Sequence, residues 1–353
     1  MYRLLISSLV LAILWVGSAE RPALAGESDR AMTITVVPRS ESGAFRDTTL
    51  VYLDGPIDAG APDRLSGALD GLDGKIAVWL NSPGGNLFAG MQMGRTIRRH
   101  GAWTYIIDHR TLRPGECYSA CGLTFLGGVY RFNDNGGRYG VHRASLTGDP
   151  ASNEPGLQQH FNVAIESYLR EMGIDARLLD LWMKAAPDQM YLLSRQQAKD
   201  LGVVNNGRKP PEWSVGELSG GTRLIGRQTT TDGSSSVFFS CDEKQTVFGS
   251  VYEAASVGEP VSAPGWRHVL TIDSAKDVPV TPLAMSSEDG VVRWTFIVPA
   301  RVVRLAMSAT RIGHRTTPPG DRSASIGSGV DIDDRSGPLV RRFLRGCLSE
   351  RAR

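Results

Sequence analysis

Three short runs hold residue types that could do acyl-transfer chemistry together. They are Asn81-Ser82-Pro83-Gly84-Gly85, the small-residue stretch around Ser119, and Gly140-Val141-His142-Arg143. A chain that leaves a strand on Pro-Gly-Gly and restarts as a helix has unpaired N–H groups at the turn. Its glycines let a carbonyl come close. Such a turn can stabilise an oxyanion. A serine hydroxyl is a weak nucleophile until an imidazole takes its proton. Oxyanion turn, then serine, then histidine is therefore a catalytic order, and it points to a serine hydrolase.

The surrounding pattern supplies elements to position these runs. Thr49 to Gly55, Ile76 to Leu80 and Trp103 to Ile107 read as strands. Helical patterns lie between them: Ala61 to Leu72, with Leu65, Leu69 and Leu72 on one face, and Leu87 to His100, stopped by Gly101. Strand and helix alternate, which predicts an α/β domain with parallel strand pairs. Arg98, Arg99 and His100 suit a helix C-terminus and are read as that, not as an anion site. Arg110 to Glu116 is a polar insertion, and Cys117 to Leu126 a small-residue turn opening a buried helix. Arg138 to Arg143 is a short strand. Pro155 to Met172, Asp175 to Lys184 and Ser194 to Leu201 are helices.

Beyond Asn205-Asn206-Gly207-Arg208-Lys209-Pro210-Pro211 the pattern changes. Strand-like runs follow at Val237–Phe239, Thr246–Tyr252, His268–Ile272 and Val291–Val298, with a short closing helix from Leu339 to Leu344 and a polar loop from Gly313 to Asp334. The expected domains are a signal peptide over 1–25, an N-terminal arm over 26–47, an α/β domain over 48–206, a linker over 207–218 and a smaller β-rich domain over 219–353.

The first 25 residues have the form of a targeting segment. Arg3 gives a positive start, Leu4 to Val16 is apolar but short for a bilayer, and Ala23-Leu24-Ala25 is a cleavage site. The mature chain is expected to begin at Gly26, exported and periplasmic, with an uncleaved anchor as the rival reading. No later run is apolar for long enough to span a membrane. Export implies an oxidising compartment. Cys241 and Cys347 are expected to pair and staple the β-rich domain. Cys117 and Cys121, which flank Ser119, are either two buried small hydrophobes or a local disulfide. Two cysteines alone make no zinc site.

The formal charge of +2 and charged content of 22% describe an ordinary globular chain and argue against a nucleic-acid binder. There is no Gly-x4-Gly-Lys-Ser/Thr loop, no His-Glu-x2-His motif and no dinucleotide fingerprint, so no cofactor or metal is expected.

Asn81-Ser82-Pro83-Gly84-Gly85, the Ser119 turn and Val141-His142 together resemble the proteolytic subunit of the Clp protease, within the ClpP/crotonase superfamily. The resemblance runs over about residues 48–206, including Val51–Ile57 and Leu193–Val204. It implies a core of repeated ββα units, Ser119 as nucleophile and His142 as general base, 23 residues apart (142 − 119). It implies Gly85 and Ala120 as oxyanion donors, with Pro83 and Gly84 supporting the turn. Asp188 is the candidate acid, although counting back from Ser194 sets Met190 at the acid's position. Asp175 and Asp180 are weaker candidates. A serine–lysine dyad through Lys184 is the related alternative.

The resemblance further implies a peptide or unfolded-protein substrate and homo-oligomers. The family's ATP-driven unfoldases would not meet an exported chain, so unaided peptidase action is expected. Two rival readings remain: a catalytically inactive envelope binding module on the same scaffold, and a crotonase-type acyl-CoA enzyme.

Overall fold

The structure, a computed structural model, describes residues 31–43, 47–144, 155–218, 221–241, 245–253, 265–273, 276–289, 291–320 and 325–350. The signal-peptide reading lies outside the described residues. No described helix is long and apolar enough to cross a membrane.

The first half begins with β1 (Thr33–Val37), β2 (Thr48–Asp54), α1 (Ala61–Leu69), β3 (Lys75–Asn81), α2 (Leu87–Arg99) and β4 (Trp103–Asp108). Then come β5 (Arg113–Pro114), β6 (Glu116–Tyr118), α3 (Ala120–Leu126), β7 (Arg131–Phe132) and β8 (Arg138–Val141). It closes with α4 (Pro155–Glu171), α5 (Arg177–Lys184), β9 (Tyr191–Leu192) and α6 (Arg195–Asp200). β2, β3, β4 and β7 run parallel, β1 joins the β2 edge antiparallel, and β5 turns back on β4. Ile76 to Leu80 is an unbroken buried run, as expected of a strand covered on both faces. Leu65 and Leu69 of α1 and Met93 and Ile97 of α2 pack onto it. Asn86 caps α2 by accepting the Ala89 N–H at 2.9 Å, and Gly101 ends it at φ +63°. All seven residues of α3 are buried, so this helix lies wholly inside.

The second half has β10 (Glu212–Leu218), β11 (Gly221–Thr230), β12 (Gly233–Cys241), β13 (Thr246–Glu253), β14 (Arg267–Ile272), β15 (Lys276–Val280), β16 (Ala284–Glu288) and β17 (Val291–Val298). These are followed by α7 (Ala300–Ala306), β18 (Arg311–Thr317), β19 (Ile326–Asp331) and α8 (Gly337–Glu350). Two antiparallel sheets, β10-β11-β12-β13-β17-β16 and β15-β14-β18-β19, share one core with α7 and α8. In β17 Val292, Trp294, Phe296 and Val298 point inward and the residues between them are more exposed, the alternation of a half-buried strand. Cys241 and Cys347 are joined, tying β12 to α8.

Three expectations are corrected. Arg113–Pro114 and Glu116–Tyr118, read as a polar insertion and the start of a turn, are strands β5 and β6, too short for a local signal and set by pairing with β4 and β8. Glu212–Leu218, placed in the linker, is a seven-residue strand paired with β11. Its signal is weak because Trp213 is its one large apolar residue turned to the core, fixed by an indole N–H donated to the Asp331 carbonyl at 2.8 Å. The polar run Gly313 to Asp334, read as a loop, holds most of β18 and all of β19. Its strands are disguised by glycine. A Cβ on Gly313 or Gly327 would meet the backbone of the neighbouring strand, so packing requires glycine where β-formers are expected.

Candidate active site

Three parallel strand ends lie side by side. β3 runs on to Ser82, which bridges Cys117 of β6, with Ser82 N–H donating to Glu116 O at 2.7 Å and Tyr118 N–H to Ser82 O at 3.1 Å. β6 in turn pairs parallel with β8, Tyr118 opposite Gly140, and the Ser119 N–H donates to Gly140 O at 2.9 Å. Parallel strands in register end on one edge. The Gly84-Gly85 turn follows β3, Ser119 follows β6, and His142 follows β8. Asn81 braces this corner, its side chain donating to Asp54 Oδ1 at 3.0 Å and accepting from the Glu116 N–H at 3.1 Å.

The Gly84-Gly85 turn is shaped by close approach on both sides. Gly84 (φ +101°) lies against the Ser119 turn: a Cβ there would fall 2.6 Å from Tyr118 O and 2.8 Å from Ser119 Cβ. Gly85 (φ +138°) lies against the backbone of Ile57, with Ile57 N–H donating to Gly84 O and Asn86 N–H to Ile57 O. That parallel bridge uses the neighbours' groups and leaves the Gly85 N–H facing away from Ile57. Ser82 Oγ accepts the Gly84 N–H at 3.1 Å, and Pro83 has none to satisfy. Among the described residues the N–H groups of Gly85 and Ala120 donate to no one.

Ser119 sits between β6 and α3 at φ +55°, ψ −124°. This is a glycine-type conformation, costing a side-chain-bearing residue about 1–3 kcal/mol. Its hydroxyl caps nothing and the residue is partly exposed. Cys117 and Cys121 are joined in a disulfide that crosses this turn, which decides the alternative left open by the sequence.

His142 is half-buried, and burial pushes its pKa below the ordinary histidine value, opposed by the backbone of Arg143. The imidazole is thus neutral at pH 7, the form that accepts a proton. Its Nδ1 is buried and has no hydrogen-bond partner among the described residues. The sequence candidates for an orienting acid lie elsewhere. Asp188 is exposed, on a turn in which Gln189 N–H donates to Ala186 O. Asp175 is held by Arg177, at 2.8 Å, and Asp180 and Lys184 are exposed on α5.

The segment before β9 does pass beside His142: Arg143 N–H donates to Ala185 O at 3.1 Å, and Val141 pairs with Tyr191. Continuing that register sets Met190 opposite His142, and the Met190 side chain covers Gly140. The sequence marked Asn81 only as part of its first run, without a bracing role, and did not single out Asn86. Asn86, one residue before a helical pattern, carried an N-cap signal. No group of three metal-ligating side chains occurs among the described residues.

No family model matches the chain, and no curated protein matches it. Among solved structures it is similar to the membrane-bound stomatin-specific protease 1510-N. An alanine variant of that protein is 20% identical, covering 43% of this chain and 75% of the other at a TM-score of 0.35. A second alanine variant, in complex with a substrate peptide, is also 20% identical, covering 43% of this chain and 71% of the other at a TM-score of 0.36. A variant of ClpP1 from Listeria monocytogenes is 20% identical over 45% of this chain and 88% of its own, at a TM-score of 0.33.

Proposed function

We propose that this chain is a serine peptidase in which Ser119 attacks a peptide carbonyl, His142 takes the hydroxyl proton, and the N–H groups of Gly85 and Ala120 hold the oxyanion. The observation that carries this reading is the single edge formed by the ends of β3, β6 and β8. A free N–H pair, a strained serine and a neutral histidine follow those strand ends. Ser119 is strained at a strand-to-helix corner and partly exposed, as suits a nucleophile that a carbonyl must reach. As Ser119 Oγ bonds to the carbonyl carbon, negative charge moves to the carbonyl oxygen and its two donors. Loss of one such donor typically costs about 2.7–4 kcal/mol of transition-state stabilisation. The imidazolium then returns its proton to the leaving amine, and water, activated by the same histidine, releases the acyl group.

Asp188 is the proposed partner for Nδ1. Its turn borders His142, and moving that turn inward would give a buried, unsatisfied nitrogen its acceptor. The chain acts without ATP in this reading, since it has no phosphate-binding loop. It works as an exported, periplasmic protein, cleaved after Ala25, on peptides or unfolded segments, with assembly into homo-oligomers. The two disulfides favour an oxidising compartment. The unpartnered Nδ1 favours one second reading, an inactive binding module that keeps the scaffold.

The test is labelling of residues 26–353 by a fluorophosphonate, beside Ser119→Ala and His142→Ala. Labelling of wild type, abolished in the first variant and slowed at least 100-fold in the second, is the expected result. A folded wild type that does not label sinks the peptidase reading in favour of the binding module. Asp188→Asn is expected to slow labelling at least tenfold; an unchanged rate removes Asp188 from the site.

A further inference from the structure

We propose that Cys117 and Cys121 are positioning residues, their disulfide holding Ser119 and the Ala120 N–H in the geometry that reacts. The inference rests on Ser119 being the nucleophile. The bond joins the middle residue of β6 to the second residue of α3, with Ser119 midway, and sets their Cα atoms 5.1 Å apart. Both cysteines are fully buried.

The need for such a tie follows from what else holds the turn. On the strand side, backbone bonds anchor Ser82, Tyr118 and Ser119. On the helix side, Gly90 lets α2 touch the Ala120 backbone, and Thr124 Oγ1 donates to Gly90 O at 3.1 Å. The peptide plane between Ser119 and Ala120 has no such anchor on its nitrogen. Its carbonyl accepts the Gly122 N–H at 2.8 Å, but its N–H must stay free for the oxyanion, so apart from that one bond the φ and ψ of Ser119 aim it. Those angles, +55° and −124°, are ones a serine would relax from. A covalent tie from residue 117 to residue 121 removes the room for that relaxation.

The second disulfide gives a contrast. Cys241–Cys347 spans 106 residues and constrains the unfolded chain strongly, whereas Cys117–Cys121 spans 4 and constrains it little. The short tie therefore acts chiefly on local geometry.

The test compares fluorophosphonate inactivation of wild type with a Cys117→Ala, Cys121→Ala double variant, resolving the maximal rate kinact from the binding constant KI. Melting temperature and the pH profile of labelling are measured alongside. The expected result is a kinact lower by about 10- to 100-fold, the scale of a misplaced catalytic group. KI should stay within about threefold and the pH profile should keep its midpoint, since His142 follows β8, outside the tie. A folded double variant with unchanged kinact overturns the proposal and leaves the disulfide a structural staple. Wild type that is folded and unlabelled overturns the Ser119 reading, and this inference with it.

If the double variant does not fold, wild type purified with its thiols reduced is oxidised by glutathione disulfide. Two thiols then become one disulfide as the oxidant becomes two glutathione molecules. Labelling rate should rise in step with closure of the 117–121 peptide, followed by mass. A rate that ignores that closure overturns the proposal.

Discussion

At Ser119 stability and chemistry pull in opposite directions. The φ of +55° suits glycine, and the serine side chain there makes no capping bond that a substitution would lose. Ser119→Gly should relieve about 1–2 kcal/mol of strain and give back about 0.5–1 kcal/mol in chain entropy. The variant is expected to melt no lower than wild type while losing all labelling, which calorimetry and the fluorophosphonate check together. A lower melting temperature would mean that the turn is not strained. Gly84→Ala is the converse case. Its φ of +101° and the 2.6 Å approach of Tyr118 O leave no place for a methyl group. The variant should lose about 1–3 kcal/mol and most of the labelling, because the added atom pushes on Ser119 itself.

At the scale of elements, the two sheets of the second half sandwich a histidine pair, His314 fully buried and His268 partly so. His268 Nδ1 and His314 Nε2, on the adjacent strands β14 and β18, lie 3.2 Å apart, and Trp294 and Phe296 of β17 pack on His314. Burial first, then the neighbouring His268, pushes His314 down to about 3, and burial also lowers His268. Below about pH 6.5 the unfolded chain binds protons that the folded sandwich refuses. Stability is therefore complete above that pH and lost as pH falls toward about 3. The slope for His314 reaches about 1.4 kcal/mol per pH unit. Urea titrations from pH 7 to 4 should show this loss, and His314→Phe should flatten it. An equally steep loss in the variant would assign it to other groups.

For the whole molecule, the question is how far the two halves depend on each other. Each has its own core, 32 to 203 and 224 to 347. The chain between them is held at both ends. The Asn205 side chain accepts the Arg131 N–H at 2.8 Å and donates to Val129 O at 2.9 Å, while Arg208 faces Asp331 at 3.4 Å. The Cys241–Cys347 disulfide belongs to the second core alone. Replacing both cysteines with alanine should cost that half about 4–5 kcal/mol, the expectation for a loop of about 100 residues. Fluorophosphonate labelling at 25 °C should not change if the sandwich stays folded. A matching loss of labelling would show that the sandwich supports the site.

The sequence by itself determined the longer strands and helices from Thr49 to Leu201 but not the short β5, β6, β7 and β9, together with the Asn81–Gly85 turn, the order Ser119 then His142, and the Cys241–Cys347 pair. Local signals suffice there: glycine and proline punctuate, apolar period distinguishes helix from strand, and the two C-terminal cysteines lie at opposite ends of the β-rich half. The tertiary structure alone decided that β3, β6 and β8 end on one edge, because parallel neighbours are set by long-range pairing. It alone closed Cys117 to Cys121, since the positive φ of Ser119 that brings them together is held by Gly84 and Gly140 from other strands. It also placed Asp188 in solvent and Met190 opposite His142, a matter of strand register that counting along the chain reaches only when no residue is inserted. β10, β18 and β19 escaped the sequence for the same reason. Their polar and glycine residues are strand-forming only against partners already in place.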